Sequence, residues 1–218
     1  MRFPGLCFEF QCTILPTMRF HTNLVIFVLL ILGIGIVTTL GPSERSLGAN
    51  VRLVYLHGAW VWTALISYAI AAMIGITGLV LKRLRWDQWS LTMCRVATFF
   101  WISYIPLSIW TMQANWNGLY LAEPRFKVAI DFSIAGILIQ IALVLLRDAR
   151  WASALNTLFF AGLWLTLRST QQIMHPPSPI LTSDSILIRV FFFLLVGLCL
   201  LAAWQFSLWL HQRTFAEQ

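Results

Sequence analysis

The stretch Val51-Arg52-Leu53-Val54-Tyr55-Leu56-His57-Gly58-Ala59-Trp60-Val61-Trp62 decides how the chain is read. It marks the point where a polar segment gives way to an apolar one. After His57 no charged side chain appears until Lys82. An uncharged apolar run of about 18 or more residues has the length of a membrane span. Lipid offers no partners to backbone amides, and the run lacks the alternation of a strand, so the span is expected to be a helix.

The same pattern recurs along the chain. Of 218 residues 59% are hydrophobic and only 11% charged, and the mean hydropathy is +0.79. Apolar runs at about 23–40, 57–81, 90–112, 127–146, 151–174 and 185–210 predict an all-α polytopic membrane protein with six transmembrane helices. Pro106 falls inside the third run and predicts a kink there. Residues 1–22 read as an N-terminal tail, 23–210 as a single membrane domain, and 211–218 as a polar C-terminal tail. Within the first, residues 1–17 lack a helical period and carry Pro4 and Pro16, while Met18 opens a basic and then apolar sequence. They are expected to be dispensable and poorly ordered, with Met18 as an alternative start.

The net charge of +7 is read as a topology signal, and no nucleic-acid partner is expected. Arg2, Arg19, Lys82, Arg83, Arg85, Arg147, Arg150 and Arg213 fall on one side of the predicted spans, against Arg45, Arg52, Arg125 and Lys127 on the other. The richer side is expected to be cytoplasmic. Both termini then lie inside a cell (inner) membrane, and His57, the 113–126 loop and His175 share the outer face. Cys7, Cys12, Cys94 and Cys199 predict no structural disulfide, and no Cys-x-x-Cys-His is present.

Candidate chemistry gathers on that outer face. His57 opens one apolar run, and His175 closes another just before Pro176-Pro177. Two imidazoles at one level can fill both axial positions of a haem iron. Arg52, Arg125 and Lys127 would meet its acid groups, and Trp60, Trp62, Trp110 and Trp116 its flat faces. Arg168, Gln171, Gln172 and His175 fall on one helical face, and Asp131 is the expected carboxylate partner of Arg168. A pattern for metal-assisted hydrolysis, a phosphate loop and a Gly-x-Ser-x-Gly elbow are all missing from the sequence. It therefore points to binding and not to catalysis.

These residues resemble the cytochrome c assembly family of haem-handling membrane proteins, most closely its six-span branch. The family's Arg-x-x-Tyr-x-His is matched by Arg52, Tyr55 and His57, followed by Ala59-Trp60. Its second outer histidine followed by proline is matched by His175-Pro176. Its tryptophan-rich loop, Trp-Gly-x-Trp-Trp-x-Trp-Asp-x-Arg-Leu, corresponds to the stretch from Trp116 through Gly118, Tyr120, Glu123 and Arg125 to Phe126. Leu119 and Ala122 stand where that pattern has tryptophans, Tyr120 replaces a third, and Glu123 replaces the aspartate. The resemblance implies haem b held non-covalently, with His57 and His175 on the iron and Trp116, Tyr120, Glu123 and Arg125 in the covering loop. It implies a haem chaperone, apocytochrome c or other membrane subunits as partners, besides lipid. The degenerate loop leaves an alternative: the same fold as a structural or haem-bearing subunit of a larger membrane complex.

Overall fold

The computed structural model describes residues 9–146, 148–171 and 180–215, with side chains from residue 21 onward. Six helices follow one another: α1 (Glu9–Thr39), α2 (Val51–Leu81), α3 (Leu84–Trp116), α4 (Pro124–Leu146), α5 (Ala149–Ser169) and α6 (Ile186–Phe215). Five of them, all but α5, are long and apolar enough to cross a membrane. By length and composition the chain is a multi-pass membrane protein. The helix α5 has the length, at 21 residues, but not the apolar composition. Arg150, Ser153, Asn156, Thr157 and Arg168 all lie within it.

Several boundaries differ from the sequence reading. Helix α1 already includes residues 9–17, expected to lack helical structure. Those residues carry no amphipathic period in the sequence, so periodicity could not find the helix there. Residues 211–215, expected in a C-terminal tail, belong to α6. There the His211 ring stacks on Trp89 at 3.9 Å, and its Nδ1 lies 3.0 Å from Thr92 Oγ1. Helix α5 ends at Ser169, before the expected limit at 174. His175 and its neighbours 172–179 lie outside the described residues.

The hairpin of α2 and α3 is the centre of the bundle, with α5 against both and α6 on the opposite flank. Its seam is built from small and aromatic residues. Ala59, Ala64 and Ala71 of α2 and Val96, Ala97 and Phe100 of α3 are fully buried. Small side chains let two backbones approach, which is how helices gain contact where lipid gives little hydrophobic drive. Polar atoms along the seam are paired. Tyr68 donates to Thr98 Oγ1 at 3.1 Å, Trp60 Nε1 to Ser103 Oγ at 2.8 Å, and Trp101 Nε1 to the Ala129 carbonyl at 3.2 Å. Helix α1 docks mainly on α6, where Phe27 stacks on Phe206 at 4.8 Å. Its Val25, Leu29, Leu32 and Ile36 are exposed and suit a lipid contact.

The two ends of the bundle are built differently. At the hairpin end, Lys82 adopts the left-handed conformation (φ 51°) and closes α2 through its N–H to the Gly78 carbonyl. Here α5 presses close to α2 and α3. A Cβ on Gly75 would stand 2.8 Å from the Ser153 carbonyl oxygen, and one on Gly78 2.5 Å from Asp87 Oδ1. Asp87, 3% exposed, accepts from the Ser153 hydroxyl. Asn156 Nδ2 donates to the Ser90 carbonyl and to Ser90 Oγ, each at 3.1 Å, and Ser90 Oγ donates to the Ala71 carbonyl. Three helices are thus tied by side chains too short to tolerate separation.

At the loop end the connections are longer. Between α1 and α2, Glu44 gathers the amides of Ser46 (2.9 Å) and Leu47 (3.1 Å) and the Ser46 hydroxyl. That set, led by the hydroxyl, lowers its pKa from the usual carboxylate value. Helix α3 continues through Pro106 to Trp116 and closes on Asn117 in the left-handed region (φ 49°). Proline has no N–H, so the Ile102 carbonyl lacks its helical donor. Helix α4 opens on Pro124, with Glu123 before it. Glu123 Oε2 accepts the Phe126 N–H at 2.6 Å, as an N-terminal cap does.

Candidate functional site

Because the helices are clamped at one end and spaced at the other, a cavity opens at the loop end. Its volume is about 660 Å³, between α2, α3 and α5, with the start of α4, residues 180–181 and Phe192 completing the wall. That lies within the range typical of small-molecule and cofactor pockets.

His57 lies on the cavity wall. It is not at the helix start, as the sequence reading had it. Helix α2 begins at Val51, which places His57 about 9 Å along the axis at 1.5 Å per residue. Its ring sits 5.6 Å from that of Tyr104 across the α2–α3 seam. Gly58 beside it admits α6 closely, since a Cβ there would come within 3.1 Å of the Phe192 ring. Aromatic walls come from Trp62, Trp101, Trp116 and Trp164.

Polar groups enter from three sides. Glu123 and Arg125 flank the first turn of α4, Asn115 hangs from the last turn of α3, and Arg168 comes from the end of α5. Arg168 is exposed, with its guanidinium carbon 5.7 Å from the centre of the Trp164 ring. Asp131, its expected partner, is exposed on α4, and among the described residues no ion pair joins the two. Arg168 instead lies at the cavity against an aromatic face of its own helix.

Of the residues singled out from sequence, His57, Trp62, Trp116, Glu123, Arg125 and Arg168 come together on this wall. Trp116 is the last residue of α3 rather than part of the loop. Tyr120 packs edge-on against it at 5.6 Å. Arg52 and Tyr55 serve the neighbouring loop instead. Arg52 Nε donates to the Gly41 carbonyl at 2.9 Å, and Tyr55 to the Pro42 carbonyl at 3.2 Å. They pin the α1–α2 connection and so fix where α2, and with it His57, begins. Trp60 is buried in the α2–α3 seam against Phe100 and Ser103. His175 lies outside the described residues.

Sequence reasoning missed the α3 wall. Trp101, Tyr104, Ser108, Thr111 and Asn115 all line the cavity. Their spacing of three and four residues is a polar-aromatic stripe on one helical face. That stripe was the available signal. Among the described residues no group of three or more His, Cys, Asp or Glu side chains could hold a metal ion. The buried thiols of Cys94 and Cys199 are not on the cavity wall.

Compared with known proteins, the chain matches no family model, no curated protein and no solved structure.

Proposed function

We propose that the chain is a haem-handling membrane protein that binds haem b non-covalently in the loop-end cavity and hands it on, as in cytochrome c assembly. One observation carries the reading: His57 stands on the wall of a tryptophan-lined cavity of about 660 Å³ that also receives Arg125 and Arg168. The residue set fits a porphyrin. Its apolar faces suit Trp62, Trp101 and Trp164, and its acid groups suit the two arginines. A bare metal ion has too few ligands among the described residues, whereas a metal already held by a macrocycle needs only one or two more.

In this reading His57 and His175 would hold the haem iron. When bound, haem supplies an iron that imidazole nitrogens hold reversibly. The chain's own work is to orient it, exclude water with the tryptophans, and release it. No bond is made or broken in the cargo, so the protein is a carrier and not an enzyme. The cavity faces the outer side of the cell membrane and both termini face the cytoplasm, which requires α5 to cross as a sixth span. Its 21 residues reach about 31 Å at 1.5 Å per residue, enough for the hydrocarbon core. A haem chaperone or apocytochrome c would receive the cargo.

A second reading is favoured by the loop beside the cavity, where Leu119, Tyr120 and Leu121 are exposed. Such a surface suits a permanent neighbour, making the chain a subunit of a larger membrane complex. Purification with its own membrane separates the two. A haem spectrum from the isolated chain, lost or converted to a weaker five-coordinate form in His57→Ala, supports the carrier. A colourless chain that copurifies with other subunits overturns it in favour of the second reading. Labelling of a cysteine introduced at Leu119 from the cytoplasmic side alone would overturn the orientation.

A further inference from the structure

Away from the cavity, the hairpin end gathers exposed cations. Lys82 and Arg83 form the α2–α3 turn, and Arg150 stands in the first turn of α5. The fold brings these two segments together. The Lys82 N–H donates to the Gly78 carbonyl at 2.8 Å, and a Cβ on Gly78 would stand 3.1 Å from Ser153 Oγ. Asp87, one turn after Arg83, accepts from the hydroxyl of Ser153, one turn after Arg150. The bond that clamps α5 to the hairpin therefore also sets the start of α5 beside the turn.

The local carboxylates leave these cations unpaired. Asp87 is 3% exposed and turned to Ser153. Asp148 gives Oδ1 to the Arg150 N–H at 2.9 Å, as the cap of α5. Among the described residues no group bonds or pairs with the side chains of Lys82, Arg83 or Arg150. Three exposed cations thus meet one exposed carboxylate. Apolar surface flanks them, since Leu81, Leu84 and Trp151 are 49%, 53% and 54% exposed. Leu81 and Leu84 are the terminal residues of two candidate spans, where the chain leaves the hydrocarbon. A free anion would use the cations and ignore the leucines and the tryptophan. An amphiphile with an acidic head uses both.

Two further cations of this end lie on another side. Arg85 is one turn before Trp89, which stacks on His211 of α6 at 3.9 Å. Arg213, in the last turn of α6, holds its guanidinium carbon 5.4 Å from the centre of the Trp209 ring. They provide an internal comparison: diffuse surface charge includes them, and a site between the hairpin and α5 does not.

We propose that the hairpin end binds the headgroup of one anionic phospholipid between the α2–α3 turn and the start of α5. Lys82, Arg83 and Arg150 meet its phosphate, and Leu81, Leu84 and Trp151 meet the upper part of its acyl chains. The bound lipid lies across the joint that Asp87 and Ser153 make. This site is independent of the cavity and of the ligand proposed for it.

The test incubates the full chain, in uncharged detergent, with equal amounts of phosphatidylglycerol and phosphatidylcholine of one chain length, and counts retained lipid by native mass spectrometry. One phosphatidylglycerol per chain is expected, in preference to phosphatidylcholine. Arg83→Gln combined with Arg150→Gln should weaken its binding roughly tenfold. Arg85→Gln combined with Arg213→Gln removes the same charge and should leave it unchanged. Equal losses in the two double variants, or no preference for phosphatidylglycerol, would overturn the site. Release of the lipid by inorganic phosphate at the same concentration would overturn the lipid in favour of a free anion. Should the first double variant not fold, a photoreactive phosphatidylglycerol on the wild type decides. Crosslinks at 81–84 and 150–151 are expected, and crosslinks confined to 209–215 overturn the proposal.

Discussion

The same three helices, α2, α3 and α5, meet at both ends of the bundle, and the two meetings are opposites. At the hairpin end, glycines and serines bring the backbones into contact, and Asp87, Ser90, Ser153 and Asn156 bond across the helices. At the loop end, tryptophans line an open cavity, and Glu123, Asn115 and Arg125 each keep a buried atom with no protein partner. Polar groups of similar kind therefore do different work. Where they are satisfied by one another they hold the helices together. Where they are left over they tie no helix to its neighbour.

The contrast is open to attack from its strongest side first. Gly75→Val places a branched side chain against the Ser153 carbonyl, which is backbone and cannot yield. It should cost about 3 kcal/mol, at the upper end for overpacking, and lower the unfolding temperature in detergent. An unchanged melting curve would mean that α5 is not clamped there. Asp87→Ala should cost about 2 kcal/mol by leaving the buried Ser153 hydroxyl without its acceptor. Asn115→Ala at the opposite end should stay within about 0.5 kcal/mol of the wild type, because its bond runs only to its own helical turn. Equal losses in the two variants would erase the distinction drawn above. The smallest effect concerns Glu44. Its folded pKa is lowered, so the stability it adds is present above the ordinary carboxylate value and lost as pH falls through the folded one. Protection of the Ser46 and Leu47 amides from hydrogen exchange should fall on acidification while that of α2 holds. Protection that does not change with pH would remove Glu44 from the loop's support.

Residue types carried some of this on their face. The run of uncharged residues after His57 places α2 as far as Leu81 but not its first turns from Val51, since nothing but a buried or lipid-facing helix can take such a run. The hairpin turn at Lys82 and Arg83 followed from the break in that run. Helix α5 was harder to read, because Ser153 and Asn156 lower its apolar character precisely where they bind its neighbours. In the site, His57, Trp116, Glu123 and Arg125 were found because their chemistry is conspicuous. The roles of Arg52 and Tyr55 were not legible, since a guanidinium or phenol that binds a carbonyl ten or so residues back has the same sequence signature as one that faces a ligand. Tyr104 and Asn115 were missed although their spacing along α3 is legible, because only the facing helices show that this stripe borders a cavity.

Pro106 divides α3 into two unequal parts. The part before it, from Leu84 on, packs into the seam and the hairpin end. The part after it carries Ser108, Thr111, Asn115 and Trp116, the outer stretch of the chamber's α3 wall, whose inner stretch is Trp101 and Tyr104 before the proline. With one rung of the ladder missing at Ile102, bending there is cheaper than anywhere else along the helix. The far part can therefore act as a door leaf on a jamb, swinging without disturbing the clamp below. For the cavity ligand proposed above, entry and exit would then need no unfolding, only a change of angle near Pro106.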